Sequence, residues 1–532
     1  MPSPKLSLSL RPDVLIEPLV DQWYAWSHLI PPATTALHVT ARHLKIMDSF
    51  VAAPQIHRAA CRDPELLGGP FLDLADERVA EVHALAAQTR ERRRESIRLA
   101  YAIKQLDDML RETADGRSLE PLYALVPDAL KGYVELVYDL GSRPSFRLLE
   151  PLLYRSPFYQ PECQTVLLSP SAAQVRPFVF STPRLPGEKD VHLQLAFDDP
   201  RLDALARLRA EPAAEAEIRD ALELDEETFA CLSPLLTAAE PALPRTRCVD
   251  ALRCRYLGHA CVLLEAGGYS VLVDPVLPPA SASEGGRPAR QDLPERIDLV
   301  LLTHGHQDHL VLETLLELRH RISTVVVPRS GGGSLQDPSL ELCLRAIGFR
   351  DVVALDVMQP LAVPGGEIVP LPFLGEHADL DVRAKCGYLC RLGGTSAAFL
   401  ADSNCLEPAM YAHVVRDLGR VDYVFIGMEC EGGPLSWLYG ALLTQPIRHG
   451  ADVSRRLSAS DARAALAVCE RLRPREVFVY AMGQEPWLTH VSSKRYTPTS
   501  KPILESDDFV SGCRSRGIAA RRLLGGCELF SR

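Results

Sequence analysis

The sequence predicts an α/β protein whose C-terminal half packs two β-sheets between layers of helices, behind a separate α+β N-terminal domain. Three observations support this prediction. From residue 252 onward, apolar runs of strand length alternate with helical patterns, which is typical of successive βα units. A histidine-rich string directly follows one of these apolar runs. A polar, proline-containing stretch at residues 240–244 separates this half from a first half of different pattern.

The first half has regular elements but no group of residues that indicates chemistry. Helices are predicted at 72–111, 121–140, 199–210 and 213–222, and short strands at 146–149, 165–168 and 191–197. The arginines between Arg90 and Arg98 favour a solvated helix face over a docking patch, because Glu91 and Glu95 lie among them. We therefore predict an N-terminal domain over residues 1–244 and a second domain over residues 245–532.

The second half alternates strands and helices up to residue 480. Strands are predicted at 252–264, 269–273, 297–302, 324–327, 352–355, 368–371, 397–400, 423–427 and 476–480, with helices at 310–318 and 460–472. The first two strands form a hairpin across Gly267 and Gly268, and the second of them ends at Asp274. This order predicts two sheets enclosed by helices.

The chemistry concentrates in the string Thr303-His304-Gly305-His306-Gln307-Asp308-His309, between the buried strand at 297–302 and the following helix. Imidazole nitrogens and carboxylate oxygens suit zinc, iron and manganese, and four such ligands this close can serve two metals. The alternative is a solvated loop, but ordinary loops carry a single histidine. We therefore predict a dinuclear metal site on this loop, with backbone amides facing it.

The string resembles the signature of the metallo-β-lactamase superfamily. That resemblance implies an αββα fold and further ligands at the ends of later strands. It makes Asp402 the carboxylate that bridges the metals, against the alternative of a helix-capping aspartate. It also implies that Asp274 hydrogen-bonds a metal-bound histidine without binding metal. No histidine follows the strand at 476–480, and we expect His490 to lie in a loop.

A closer resemblance rests on four features. They are the string itself, Gly375-Glu376-His377, Ala401-Asp402-Ser403-Asn404, and the missing last histidine behind a long N-terminal domain. This combination resembles the diiron β-hydroxylases of nonribosomal peptide pathways. The set then places His304, His306 and Glu376 around one metal and Asp308, His309 and Asp402 around the other, with His377 as a neighbour that does not bind metal. A ligand set with three carboxylates also suits an iron that binds O2 better than it suits zinc.

The resemblance implies an O2-dependent diiron monooxygenase. We expect it to β-hydroxylate an aromatic amino acid, p-aminophenylalanine, held as a thioester on the phosphopantetheine arm of a nonribosomal peptide synthetase carrier domain, in antibiotic biosynthesis of the chloramphenicol type. Electrons are expected from an external reductase or ferredoxin, since the chain has no dinucleotide fingerprint. The N-terminal domain is expected to form a homodimer contact and to shape the substrate entrance. Trp437 and Tyr439 are candidates for a lid over the substrate, with core packing as the equal alternative.

Two other hypotheses remain. One is a dinuclear zinc hydrolase, either a thioesterase or a lactonase, and the other is a docking module beside a degenerate metal domain, against which the intact string argues. The net charge of -11 disfavours nucleic acid and anionic membranes as partners, and the absence of a long apolar run or targeting segment leads us to expect a cytoplasmic protein. Because carrier domains are acidic, we expect a basic docking patch among Arg90 to Arg98, Arg455 and Arg456, or Arg514 to Arg522.

Overall fold

The computed structural model describes residues 7–171, 176, 178–187, 189–241, 252–278 and 290–531. The N-terminal half contains a four-stranded antiparallel sheet of order β3-β2-β6-β7. The strands of the N-terminal half are β1 (Ser7–Leu10), β2 (Val14–Val20), β3 (Trp23–Tyr24), β4 (Val134–Tyr138), β5 (Pro144–Leu148), β6 (Gln164–Pro170), β7 (Val191–Leu193), β8 (Ala213–Ala214) and β9 (Leu236–Thr237). Its helices are α1 (Pro32–His38), α2 (Leu44–Ala52), α3 (Pro54–Cys61), α4 (Val79–Arg92), α5 (Arg94–Thr113), α6 (Glu150–Leu153), α7 (Pro200–Arg207), α8 (Glu215–Leu222) and α9 (Glu226–Leu232).

A π-helical turn at Val39–His43 joins α1 directly to α2. Proline at position 32 begins α1, where its fixed φ suits the first helical turn and its missing N–H costs nothing. The wider π-helical turn then changes which side chains face inward before the chain continues as an α-helix. Turns of this kind occur frequently at functional sites.

The C-terminal half is the predicted αββα sandwich. Its two sheets have the orders β15-β14-β13-β12-β11-β10-β23 and β16-β17-β18-β19-β20-β21-β22. The strands are β10 (Arg253–Tyr256), β11 (Val262–Ala266), β12 (Tyr269–Val273), β13 (Ile297–Leu301), β14 (Ile322–Pro328), β15 (Val352–Leu355), β16 (Leu361–Val363), β17 (Gly366–Leu371), β18 (Gly387–Leu392), β19 (Thr395–Phe399), β20 (Tyr423–Gly427), β21 (Glu476–Tyr480), β22 (Ala519–Arg522) and β23 (Cys527–Ser531). The helices are α10 (Leu312–Leu318), α11 (Leu340–Ala346), α12 (Ala409–Leu418), α13 (Leu435–Tyr439), α14 (His449–Ser454), α15 (Ala462–Leu472), α16 (Thr489–Ser492) and α17 (Lys501–Ser515).

The first sheet is buried on both faces, and its outer face joins the two halves of the chain. On β13, Leu299 and Leu301 face the second sheet, whereas Val300 packs in a cluster that continues into the N-terminal half. That cluster includes α10 and α11 as well as the N-terminal helices. The N-terminal half therefore covers the first sheet, while α12, α15 and α17 cover the second.

The predicted αββα architecture of the C-terminal half is confirmed, but strands and helices do not alternate throughout, because β15 to β19 follow one another without a helix between them. Residues 252–264 form two strands, β10 and β11, and not one. The chain turns between them at Gly258 and His259, which both have positive φ, at 105° and 49°. The hairpin across Gly267 and Gly268 is confirmed by the antiparallel pairing of β11 with β12.

The N-terminal predictions are less accurate. Residues 72–111 form two helices instead of one, and Arg93 at their junction is 2% exposed because it turns inward to pair with Asp21 at 2.6 Å. The solvated-face interpretation is therefore wrong for Arg93. Residues 121–140 form 3-10 turns followed by β4 and not a helix, and the strand predicted at 191–197 ends at Leu193. The predicted boundary between residues 244 and 245 lies outside the described residues.

Buried charges connect the two halves. Arg176 donates to Glu17 on β2 at 2.7 Å and to Glu313 on α10 at 3.0 Å, and Tyr24 also donates to Glu313. Burial alone would raise the pKa of Glu17, but Arg176 and Arg184 outweigh burial and lower it. Within the described part of the chain, no helix has the length and apolar character needed to cross a membrane.

Replacing Arg176 by leucine is expected to lower the free energy of unfolding by about 3 kcal/mol, because Glu313 would lose its cation and the buried Glu17 would keep only Arg184. The midpoint of the first transition in a urea titration measures this change. Arg329→Leu is the control, because its pair with Asp356 is exposed and contributes at most about 1 kcal/mol. Equal midpoints for the two variants would contradict the importance of the buried network.

Candidate metal centre

The histidine-rich string lies where several strands end at one edge of the sandwich. Strand β13 ends at Leu301, and the loop that follows carries His304 and His309, both fully buried, before α10 begins. Asp274 directly follows β12, which pairs in parallel with β13. Asp402 follows β19 in the second sheet. The fold therefore brings together side chains that are far apart in sequence.

All six ligands predicted from the sequence lie at this edge. Three groups of residues place their donor atoms within 4.8 Å of one another: His304, His306 and Glu376; His304, His309 and Asp402; and His259, Asp308 and His309. Nδ1 of His306 lies 2.9 Å from Oε1 of Glu376. Oδ2 of Asp402 lies 3.1 Å from Nε2 of His309 and 3.9 Å from Nε2 of His304. Oδ2 of Asp402 therefore lies within reach of both His309 and His304, which the sequence analysis assigned to different metals.

The donor set fits metal ions. Among the described residues, Nε2 of His304 and Oδ1 of Asp402 are buried without a hydrogen-bond partner, which costs free energy unless something binds them. Burial lowers the pKa of His304 well below its usual value, so its imidazole is neutral, as a metal ligand must be. Burial acts in the same direction on His309, but Asp402 and Asp274 outweigh it and raise its pKa. The carboxylates thus favour positive charge at the site.

Asp274 contacts the loop that carries the candidate ligands. Its Oδ1 accepts from the backbone N–H of Thr303 at 2.8 Å, and its Oδ2 accepts from the Thr303 hydroxyl at 2.7 Å. Oδ2 also lies 2.8 Å from Nδ1 of His309, which donates to it and leaves Nε2 free for a metal. Because the Thr303 hydroxyl donates to Asp274, its oxygen accepts from Nδ1 of His304 at 3.0 Å. The same bonds therefore fix the tautomers of both histidines.

His259 is a site residue that the sequence analysis missed. It lies in the turn between β10 and β11, inside the residues assigned to one strand, and no motif marks it. Its Nδ1 accepts from the backbone N–H of Gly483, so in a neutral ring the proton is on Nε2, which lies 3.4 Å from Oδ2 of Asp308. We therefore infer that His259 orients Asp308.

The predicted neighbours of the ligands also lie at the site. His377 belongs to none of the three groups, although its Nδ1 is 2.9 Å from Oε2 of Glu376 and its ring stacks on His306 at 4.4 Å. The hydroxyl of Tyr439 is 3.3 Å from Nε2 of His306, where it can accept a hydrogen bond from the ring N–H and leave Nδ1 free for a metal. His490 is not in a loop, because it lies in α16 and accepts from Arg176 at 2.8 Å, away from the ligands.

Backbone geometry at the site is unusual for residues with side chains. Glu376 has φ of 65° and Asp274 has φ of 39°, both in the left-handed region that favours glycine. Such conformations persist where the surrounding structure imposes them, and they cluster at functional sites. At the end of β20, a Cβ on Gly427 would lie 2.8 Å from Oδ1 of Asp402. Gly427 therefore leaves room for that carboxylate.

A cavity of about 570 Å³ opens onto four of the candidate ligands, His306, Asp308, Glu376 and Asp402. The other walls include Trp437 and neighbouring residues of the segment after β20, together with Arg456 and Lys494. Trp437 therefore faces the cavity, whereas Tyr439 contacts a candidate ligand.

Comparison with known proteins identifies the family. A family model described as the diiron non-heme beta-hydroxylase N-terminal domain matches residues 9–241, and a beta-lactamase superfamily domain matches residues 269–480. The chain is 39% identical over 524 residues, 97% of its length and 98% of the relative's, to the 4-amino-L-phenylalanyl-[CmlP-peptidyl-carrier-protein] 3-hydroxylase of Streptomyces venezuelae. The chain belongs to the diiron non-heme β-hydroxylases.

Solved structures agree with this assignment to the family. The crystal structure of CmlA, a diiron beta-hydroxylase from Streptomyces venezuelae, superimposes with a TM-score of 0.92 at 37% identity, and the alignment covers 99% of this chain and 100% of that one. A metal-dependent hydrolase of Thermococcus kodakarensis is 27% identical over 157 residues, which is 29% of this chain and 62% of that protein. The similarity to the β-hydroxylases thus extends over both halves, and the similarity to this hydrolase is much shorter.

Asp274→Asn is expected to lower the affinity for iron about 10- to 100-fold, because the amide replaces one of the two oxygens that accept from Thr303 and His309. Competition with a chromogenic chelator measures the affinity. Asp298→Asn is the matched control, because Asp298 accepts from the N–H and hydroxyl of Ser270 in the same sheet, away from the ligands. An equal loss in the control would mean that the sheet, and not the metal site, had been disturbed.

Asp402→Ala and Glu376→His are expected to lose most of the bound iron, whereas His377→Ala keeps most of it. The reason is that Asp402 and Glu376 belong to groups that converge on a metal position and His377 does not. Iron content per chain after reconstitution measures the difference. The reverse order for Glu376 and His377 would mean that the neighbouring histidine is the ligand.

Proposed function

We propose that this protein is a diiron monooxygenase that β-hydroxylates an aromatic amino acid held as a thioester on a nonribosomal peptide synthetase carrier domain. The expected amino acid is p-aminophenylalanine, in antibiotic biosynthesis of the chloramphenicol type. The observation that carries this proposal is the 39% identity, over 97% of the chain, to a hydroxylase of a carrier-bound 4-aminophenylalanyl group. The site supports it, because three carboxylates and four imidazoles form three overlapping groups, each of which could hold a metal ion.

His304, His306 and Glu376 would hold one iron, and Asp308, His309 and Asp402 would hold the other. When bound, the diiron cluster supplies the redox chemistry by which O2 hydroxylates the substrate. Overall, O2, two electrons and two protons convert the β C–H bond into C–OH and release water. The electrons come from a separate donor, which we propose to be a reductase or ferredoxin.

The protein itself positions the substrate and covers it. The cavity wall formed by the segment after β20 lies over the candidate ligands, and we propose that it closes over the substrate, with Trp437 as part of a lid. Tyr439 holds the ring of His306 in place. The protein thus presents the β-carbon to the metals and limits access of water to the reacting atoms.

Basic groups lie at the cavity. Arg456 is exposed and lines it, and Lys494 lines it as the ion-pair partner of Glu429. Of the three candidate basic patches, the one containing Arg456 contributes to the wall of this cavity, and we propose it for docking of an acidic carrier. Binding energy from the carrier and its arm can then position a small side chain. We also retain a homodimer contact by the N-terminal half as a proposal.

The proposed activity is tested by single turnover of the chemically reduced, iron-loaded protein with isotopically labelled O2. We expect the 4-aminophenylalanyl carrier thioester to gain one labelled oxygen atom at the β-carbon and the free amino acid to gain almost none, as measured by mass spectrometry after release. Equal hydroxylation of both would refute the need for the carrier. Cleavage of the thioester without labelled oxygen would favour the zinc hydrolase.

A further inference from the structure

An ion pair lies in the wall of the cavity beside the candidate metal ligands. Lys494 pairs with Glu429, and their side chains remain 26% and 19% exposed. Both residues line the cavity of about 570 Å³ that also opens onto Asp308 and Asp402. Pockets that bind small molecules have volumes of about 300 to 1,000 Å³, so this cavity has room for an amino acid and part of a carrier arm. The two opposite charges are therefore accessible to a molecule that enters the cavity.

The backbone around the ion pair is held in place on both sides. Glu429 follows the end of β20 by two residues, and its carbonyl accepts from the N–H of Ala459 at 2.9 Å. Ser493, directly before Lys494, has φ of 55°, in the left-handed region. Such conformations cluster at active sites and ligand clamps. The pair is therefore positioned before any ligand binds.

Both members of the pair have capacity for a further partner. The ammonium of Lys494 has three N–H donors, of which one faces Glu429 and another donates to the carbonyl of Glu431 at 3.3 Å. The carboxylate of Glu429 can accept several hydrogen bonds at once. Burial lowers the pKa of Lys494 to about 8, although Asp308 and Asp402 act in the opposite direction, so the ammonium stays charged at neutral pH. The cavity thus offers a fixed negative charge and a fixed donor side by side.

An aminoacyl group is complementary to this pair. Its α-amine, with a pKa of about 8, is an ammonium at neutral pH, and a nearby carboxylate favours the charged form further. The acyl carbonyl is bonded to the same α-carbon and accepts a hydrogen bond. The β-carbon is bonded to that α-carbon too, so holding the amine and the carbonyl also places the β-carbon. Apolar side chains of Trp437, Leu438 and Leu457 line the same cavity and offer a surface to an aromatic ring.

We propose, building on the function proposed above, that Glu429 binds the α-ammonium group of the carrier-bound amino acid and that Lys494 donates to its carbonyl oxygen. The pair then selects acyl groups with a free α-amine and disfavours N-acylated or peptidyl groups. Sites built around such a hydrogen bond discriminate strongly against the analogue that lacks it. Glu429 is therefore a specificity-determining residue, and Lys494 positions the acyl group.

The first test uses the unaltered chain, loaded with iron and kept free of oxygen. Dissociation constants are measured for three carriers, each loaded through an amide bond that resists hydrolysis. One bears 4-aminophenylalanyl, one its N-acetyl derivative, and one the deamino analogue, in which hydrogen replaces the α-amine. We expect the last two to bind at least about tenfold more weakly than the first, which corresponds to about 1.4 kcal/mol. Equal binding of the first and the deamino carrier overturns the proposal, even if the bulkier N-acetyl carrier binds weakly.

Variants then assign the preference to the ion pair. Glu429→Gln keeps the shape but removes the charge, so the 4-aminophenylalanyl carrier should bind about tenfold more weakly, while the deamino carrier changes by less than about threefold. Glu429→Asp keeps the charge but shortens its reach, and should retain part of the preference. Lys494→Met should weaken both carriers by a similar factor of at least about threefold, because both keep the carbonyl. Glu431→Gln is the matched control, since this exposed residue lines the same cavity, and it should keep the full preference.

Iron content per chain is measured for every variant, so that a lost metal is not mistaken for a lost contact. A preference for the amine that persists in Glu429→Gln overturns the role of Glu429. Unchanged binding of both carriers to Lys494→Met overturns the role of Lys494. If the unaltered chain hydroxylates no carrier-bound substrate, the proposed function fails and this inference fails with it. If it hydroxylates the 4-aminophenylalanyl carrier but binds the deamino carrier equally well, only the inference about the ion pair fails.

Discussion

The metal centre depends on the buried carboxylate of Asp274. It accepts hydrogen bonds from the backbone N–H and the hydroxyl of Thr303 and from Nδ1–H of His309. Through the Thr303 hydroxyl it also fixes the ring proton of His304 on Nδ1. Both imidazoles therefore offer Nε2 to a metal. The parallel pairing of β12 with β13, with Val273 opposite Leu301, brings Asp274 beside the loop that carries the ligands. The order of the strands thus determines which ring nitrogen carries the proton in two candidate ligands.

The sequence predicted the part of the site whose signal is local. The string from His304 to His309 contains four donors, and Glu376 and Asp402 each follow a strand that the alternating pattern predicts. His259 could not be found in this way, because its role depends on the backbone N–H of Gly483 in a distant loop. The prediction of a helix at 121–140 is wrong for a different reason. Val134 and Leu136 are buried with the period of two that a strand requires, and apolar residues of a short segment also fit a helical spacing.

Among its described residues the N-terminal half has no candidate metal ligand, and its contribution arises where it packs on the metal domain. It shares one apolar cluster with the outer face of the first sheet, and the network of Arg176 joins β2 to α10 across the same boundary. Trp26 and His38 then meet Trp437 at a pocket that neither half forms alone. Contacts between residues so distant in sequence leave no periodic pattern in either half, so the surface that the two halves form together could not be predicted from the sequence.

The loss of one imidazole relative to the zinc hydrolases of this fold does not leave a gap at the centre. After β21 the chain continues through Ala481 and Gly483, and the N–H of Gly483 holds His259, whose other nitrogen faces Asp308. At the turn where the sequence lacks the superfamily's last histidine, a backbone amide thus holds His259 beside a carboxylate of the proposed ligand set. Glu376 adds a second carboxylate and Asp402 a third, so the donor set carries more negative charge. Such a set stabilises the higher oxidation state of iron, which a metal that reacts with O2 requires and a zinc ion does not.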